Sequence, residues 1–166
     1  MKRQPISERG QSLVELSISL LVLLYLLSGA VEFGLAFFQF VQLRDAAQEG
    51  ALYGSMNPVE SSWDDIEARA RAASASPIDL TDVGQVKVSI YILSKTAAPT
   101  DLGTLVWENG VQKATTNLDC EGNGVRVTVS FRHTIFMPFM PQVLGRSYTD
   151  LSATVVDTIL QPFQCT

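Results

Sequence analysis

Histidine and cysteine are nearly missing from this sequence, which has one histidine, His133, and two cysteines, Cys120 and Cys165, in 166 residues. A zinc site needs three or four such ligands at close spacing, and this set cannot supply one without several carboxylates. No serine or cysteine nucleophile motif lies beside His133, and its place at a strand end predicts a solvated histidine rather than a general base. A phosphate-binding glycine loop is also missing, because Gly122 and Gly124 are turn residues with no helix pattern after them. Asp64 and Asp65 read as charge at a helix start, where it favours the dipole. From these absences we expect no enzyme, no cofactor and no resident metal.

Positive charge is scarce too. The formal net charge is -5, and residues 1–10 carry three basic residues against one acidic, so removing their +2 leaves -7 on the remainder. That balance argues against nucleic acid as a partner. The basic residues Lys2, Arg3 and Arg9 precede a long apolar run, and no competing basic cluster follows it. The positive-inside tendency then keeps the N-terminus in the cytoplasm and sends the C-terminus out. In that compartment a disulfide between Cys120 and Cys165 is allowed, tying the tail to the loop before Val125 and contributing about 4 kcal/mol on an entropy model.

What the sequence does have is an apolar stretch beginning near Leu13 and staying mostly apolar to Leu43, interrupted by Glu15 and Glu32. It is too long for the core of a secretory signal peptide, and the place competent for cleavage, Gly10 to Gln11, precedes it. Glu15 and Glu32 are 17 steps apart, roughly 25 Å at about 1.5 Å per residue, close to the hydrocarbon thickness of a bilayer. We place one carboxylate at each interface, with residues 16–31 spanning. Phe33, Phe37 and Phe40 then form a stripe on the outward continuation of the helix; the alternative is a tilted span that keeps them in lipid. Farther on, Ala46, Gly50 and Gly54 fall at intervals of four, with Ala47 and Ala51 one position on. Such a face admits a close neighbour, and we expect it to be the chain's own sheet rather than another subunit. Asn57 and Pro58 end the helix.

The remainder, residues 57–166, reads as a small α+β head. Ser62 and Asp65 predict a capped short helix through Trp63, Ile66, Ala70 and Ala73. Strands are predicted over 85–93 and 125–132 from alternation, over 104–108 and 111–115 around an Asn109-Gly110 hairpin turn, and over 152–160. The antiparallel sheet they form is expected to pack on the outer part of the long helix. Residues 136–141, Phe-Met-Pro-Phe-Met-Pro, cannot be a regular helix throughout, yet want burial; they could rest on the membrane surface, but we expect them to plug the core.

The basic leader, Gly10, then Gln11, Ser12, Leu13, Val14, Glu15 and an apolar helix, resembles the type IV prepilin pattern. More narrowly, Arg9 to Leu16, then Glu32, Phe33, Gly34 and residues 46–51 (Ala-Ala-Gln-Glu-Gly-Ala) resemble the TadE-like family of the tight-adherence pilus apparatus. The resemblance implies a minor pilin or pseudopilin of the bacterial cytoplasmic membrane and its pilus: a basic leader over 1–10, a long transmembrane and extracytoplasmic helix over 11–56, and the head beyond. It implies a prepilin peptidase cutting between Gly10 and Gln11, and assembly residues Glu15 and Glu32. Its partners would be membrane lipid, other pilins or pseudopilins and pilus assembly platform proteins. Leu16, where major pilins of that system tend to have tyrosine, and the larger head imply an accessory subunit. The alternative is an uncleaved single-pass protein whose head binds an external ligand or partner.

Overall fold

A computed structural model describes residues 8–57, 62–94, 101–115, 123–138 and 140–159. The architecture is α+β: one long N-terminal helix, a short helix, and a five-stranded antiparallel sheet with a further short helical turn in its last connection. The described residues fall into two compact units. One is the long helix up to Leu35 with residues from Thr134 to Tyr148; the other is the remainder.

The first helix, α1, runs Glu8–Met56. Up to Leu27 its apolar side chains stay more than half exposed apart from Tyr25, among the described residues. Among the described residues it is the one helix long and apolar enough to cross a membrane. It stops where Asn57 donates from both its backbone and its side chain to the Tyr53 carbonyl, just before Pro58 removes a donor.

The head unit is built on the C-terminal part of α1. Leu43, Ala46, Ala47 and Ala51 are fully buried there. The second helix, α2 (Trp63–Ala72), opens with the expected box: Asp65 N–H donates to Ser62 Oγ at 3.3 Å, and Ser62 N–H donates to the Asp65 carboxylate at 2.9 Å. Gln42 of α1 makes a buried reciprocal pair with Ile78, donating from Nε2 to its carbonyl and accepting from its N–H, both at 2.8 Å. Ser55 Oγ donates to Asp157 at 2.9 Å, so each end of this helical segment is tied to the rest of the head.

The strands are β1 (Val86–Leu93), β2 (Thr104–Glu108), β3 (Val111–Gln112), β4 (Gly124–Thr134) and β5 (Tyr148–Thr158), in spatial order β3-β2-β1-β4-β5. β1 lies at the centre and pairs with β4 over eight residues, which buries Val86, Val88 and Ile90 against Val125, Val127 and Val129. Asn109 (φ 46°) and Gly110 (φ 76°) make the hairpin turn as predicted, both in the left-handed region that asparagine and glycine tolerate. Three strands differ clearly in length from expectation, β4 running over Gly124–Thr134 rather than 125–132. β3 stops after Gln112 because the N–H groups of Lys113 and Ala114 converge on one carbonyl, that of Val106, and the ladder cannot continue. β5 begins four residues early, at Tyr148; it is an edge strand alternating between exposed and half-buried, a weaker hydrophobic signal than a central strand leaves.

Two expectations are corrected. His133 is not solvated but 1% exposed, because the inward alternation of β4 continues two residues past Phe131. The apolar connection after β4 is not a core plug: Phe136 is 69% exposed, Pro138 is exposed and Met137 only half-buried.

Candidate functional site

The candidate site lies on α1 and on the connection that returns to it. Gly10 and Gln11 lie on α1 near the start of its described residues, and a methyl group added at Gly10 would meet nothing within 4 Å among them. Glu15 follows one turn later, exposed, with no hydrogen bond or ion pair among the described residues. It stands in a field of exposed Leu13, Val14, Leu16 and Ile18. A carboxylate presented in such a field is costly in lipid and gains from an opposite charge brought to it.

Glu32 is differently placed. It is 6% exposed, and its two carboxylate oxygens accept the backbone N–H groups of Phe136 at 3.2 Å and Met137 at 3.0 Å. These belong to the connection between β4 and β5, whose short helix α3 (Met140–Leu144) follows immediately. The sequence reading gave Glu32 an assembly role; its position adds a role inside the chain, anchoring this connection to α1. The sequence carried no signal for that contact, since the partners are more than 100 residues apart.

Residues 137 and 138 line an apolar groove of about 500 Å³ with Leu21, Leu24, Tyr25, Leu27, Ser28 and Val31 of α1. Phe33, Phe37 and Phe40 remain exposed along the helix beyond it.

The small-residue face of α1 meets the chain's own head. A Cβ at Gly50 would lie 3.0 Å from the Ala70 methyl and 3.4 Å from Val127, and one at Gly54 would lie 2.9 Å from Ile66 and 3.2 Å from Val125. Ala46 is fully buried in the same seam. Residues 46, 50 and 54 thus let α2 and β4 approach the backbone of α1. Cys120 and Cys165 lie outside the described residues.

The head also holds a polar cluster that sequence reasoning missed. The Glu67 carboxylate accepts from Arg71 Nε at 2.7 Å, from the Trp107 indole and from Gly110 N–H at 2.8 Å. Arg71 in turn donates to the Leu80 carbonyl at 2.6 Å and to Asn109 Oδ1 at 3.1 Å. This buried pair fastens α2 to the β2–β3 turn, and its donors and acceptors are engaged with one another rather than turned to a ligand. On the surface of the sheet Lys87 donates to Glu108 at 2.6 Å; that bond, helped by Lys113 and opposed by partial burial, lowers the Glu108 pKa. Asp65 is lowered by the Ser62 backbone and hydroxyl donors, and Asp79 by those of Thr81. These are structural carboxylates. Among the described residues no three His, Cys, Asp or Glu side chains converge as a metal-binding set.

No characterised protein and no solved structure is similar enough to this chain to match. One family model does match, described as TadE-like protein, over residues 10–52. That interval begins at Gly10, contains Glu15 and Glu32, and ends within the segment of α1 that the head packs on. By this match the helix from Gly10 to Leu52 is similar to that of TadE-like proteins, over about a quarter of the chain.

Proposed function

We propose that this protein is a minor pilin or pseudopilin: a structural subunit anchored in the bacterial cytoplasmic membrane by α1, with its head outside, that joins other pilin-like subunits in building a tight-adherence pilus or a related secretion machine. The observation that carries this reading is the TadE-like match over residues 10–52, whose first six residues hold both Gly10-Gln11 and Glu15. A prepilin peptidase cuts after Gly10. Gln11 then bears a positive amine four residues before Glu15, at the membrane surface.

The physics of assembly follows from those two charges. An isolated subunit holds an ammonium and a carboxylate near hydrocarbon, each poorly compensated. When Glu15 of one subunit meets the Gln11 amine of the next, two costly charges become a single pair. The apolar faces of neighbouring helices meet at the same time, and Leu13, Val14 and Leu16 are exposed and available for that contact. Platform proteins of the pilus machine would act on the assembled array.

The test is a Glu15→Gln substitution in a strain that makes the remaining pilus proteins. We expect membrane insertion to be unchanged and co-isolation with other pilin-like subunits to be lost. Undiminished co-isolation would remove Glu15 from the assembly step. The competing reading is an uncleaved single-pass protein with a ligand-binding head; the polar groups of one shallow cleft there, Glu67, Arg71 and Asn109, bond to each other and to the surrounding backbone.

A further inference from the structure

We propose that the described residues 136–138 and 140–144 dip into the bilayer beside α1, as a second, re-entrant membrane contact whose partner is lipid acyl chains. The proposal rests on the reading that α1 spans the membrane, and four observations lead from there.

The first is depth. Glu32, which holds the N–H groups of residues 136 and 137, sits at one end of the proposed span, and the groove that Met137 and Pro138 line reaches back to Leu21. Eleven helical steps at about 1.5 Å place Leu21 roughly 16 Å from Glu32 along the axis, about half of a hydrocarbon core of about 30 Å. Met137 and Pro138 line this groove with residues 21–31 of α1, so the connection faces the helix on the hydrocarbon side of Glu32.

Composition is the second. From Ile135 to Gly145 there is no charged residue, and Phe136, Val143 and Leu144 are 69%, 67% and 48% exposed. In water this would be an unusually apolar patch for one short connection; in lipid it is the expected surface.

The third is the backbone. Non-helical chain survives at membrane depth only where its polar groups are satisfied within the protein. Here Ile135 N–H donates to the Ser147 carbonyl, Phe136 and Met137 N–H donate to Glu32, Met140 N–H donates to the Met137 carbonyl, and Pro138 and Pro141 have no N–H to satisfy. The N–H groups of residues 135–137 and 140 are thus paired within the chain, and a buried carboxylate on a membrane helix acquires a reason to be there.

The fourth is the rim. Arg146 and Tyr148, both exposed, follow the apolar stretch directly, residue types that settle at the membrane–water interface.

The full chain, reconstituted in phosphatidylcholine vesicles, tests this with three single variants, Leu24→Trp, Phe136→Trp and Val143→Trp. Each is read as the fluorescence lost to acyl-chain bromine and to aqueous iodide after subtracting the wild-type signal from Trp63 and Trp107. We expect bromine to quench positions 136 and 143 at least half as strongly as position 24, with iodide quenching weak at all three. Quenching of 24 by bromine, with 136 and 143 quenched by iodide instead, would overturn the re-entrant contact and leave the spanning helix standing. Shielding of 136 and 143 from both quenchers would mean that protein covers them, and would overturn it as well. Position 24 open to iodide would overturn the span and this proposal together. As an independent arm, Glu32→Ala should at least halve bromine quenching at 136 while leaving position 24 unchanged; equal quenching at 136 with and without Glu32 would remove the carboxylate from the role given to it.

Discussion

Replacing Gly50 by alanine sets two opposing effects against each other at the seam between α1 and α2. In an exposed helix the change would stabilise by about 1 kcal/mol. Here the new methyl would lie 3.0 Å from the Ala70 Cβ, and 3.4 Å from the Ile66 carbonyl and Val127. Favourable carbon contacts begin at about 3.5 Å, and the Ala70 methyl has no rotamer by which to retreat, so α2 itself must shift. Overpacking of this kind costs about 1–3 kcal/mol, which leaves Gly50→Ala between neutral and about 2 kcal/mol destabilising. The sharper expectation concerns the pair. Ala70→Gly alone should cost about 1–2 kcal/mol in helix propensity and lost methyl burial, but in the double variant the methyl introduced by Gly50→Ala takes the vacated space, giving a favourable coupling of about 1–2 kcal/mol. Denaturant unfolding of the four proteins in one detergent, followed by tryptophan fluorescence, measures that coupling. A value inside the additive range of about 0.5 kcal/mol, with Gly50→Ala instead weakening association between subunits, would refute the assignment of this face to the chain's own head.

Other substitutions probe the remaining buried polar contacts. Glu67→Ala strands Arg71 and removes the acceptor of the Trp107 indole and Gly110 N–H, so the head should lose about 3–5 kcal/mol, with Glu67→Gln losing less; equal losses in denaturation midpoint would deny the charge a part. Gln42→Leu leaves the Ile78 N–H and carbonyl buried without that partner, and a destabilisation of about 1–3 kcal/mol per group is expected from the same unfolding assay. The Glu108 pKa is lowered in the folded state chiefly by Lys87, so the stabilisation from this pair is complete above the usual carboxylate range and disappears as pH falls through that range and below the folded pKa. Lys87→Met should therefore lower the head's thermal midpoint slightly at neutral pH, with the difference from wild type closing on acidification; a gap that widens in acid would reverse the sign of the linkage.

Much of the fold was legible because it rests on short-range signals. The apolar run announces α1, Ser62 and Asp65 announce the start of α2, and the Asn109-Gly110 turn and the alternation through β1 and β4 announce the sheet. The alternation of Val125, Val127, Val129 and Phe131 also pointed to the burial of His133, had it been followed one step further. The rest was hidden by separation in sequence. Glu67 finds the Trp107 indole 40 residues away, and Glu32 finds Phe136 at 104; such contacts leave no periodic trace. The apolar composition of residues 136–141 showed only that they leave water, since core and lipid both demand it. Gly10, Gln11 and Glu15 were readable as a motif, and Ala46, Gly50 and Gly54 as a spacing, because each is contiguous or periodic along one helix.

The most direct test of the pilin reading is the intact mass of the protein purified from membranes with and without a co-expressed prepilin peptidase. Mass is preferable to end-sequencing because an N-terminal glutamine can cyclise and block the chemistry. The pilin reading requires a peptidase-dependent loss of residues 1–10, abolished by Gly10→Ala. A chain that keeps these residues in the presence of an active peptidase would contradict it and leave a single-pass membrane protein in its place.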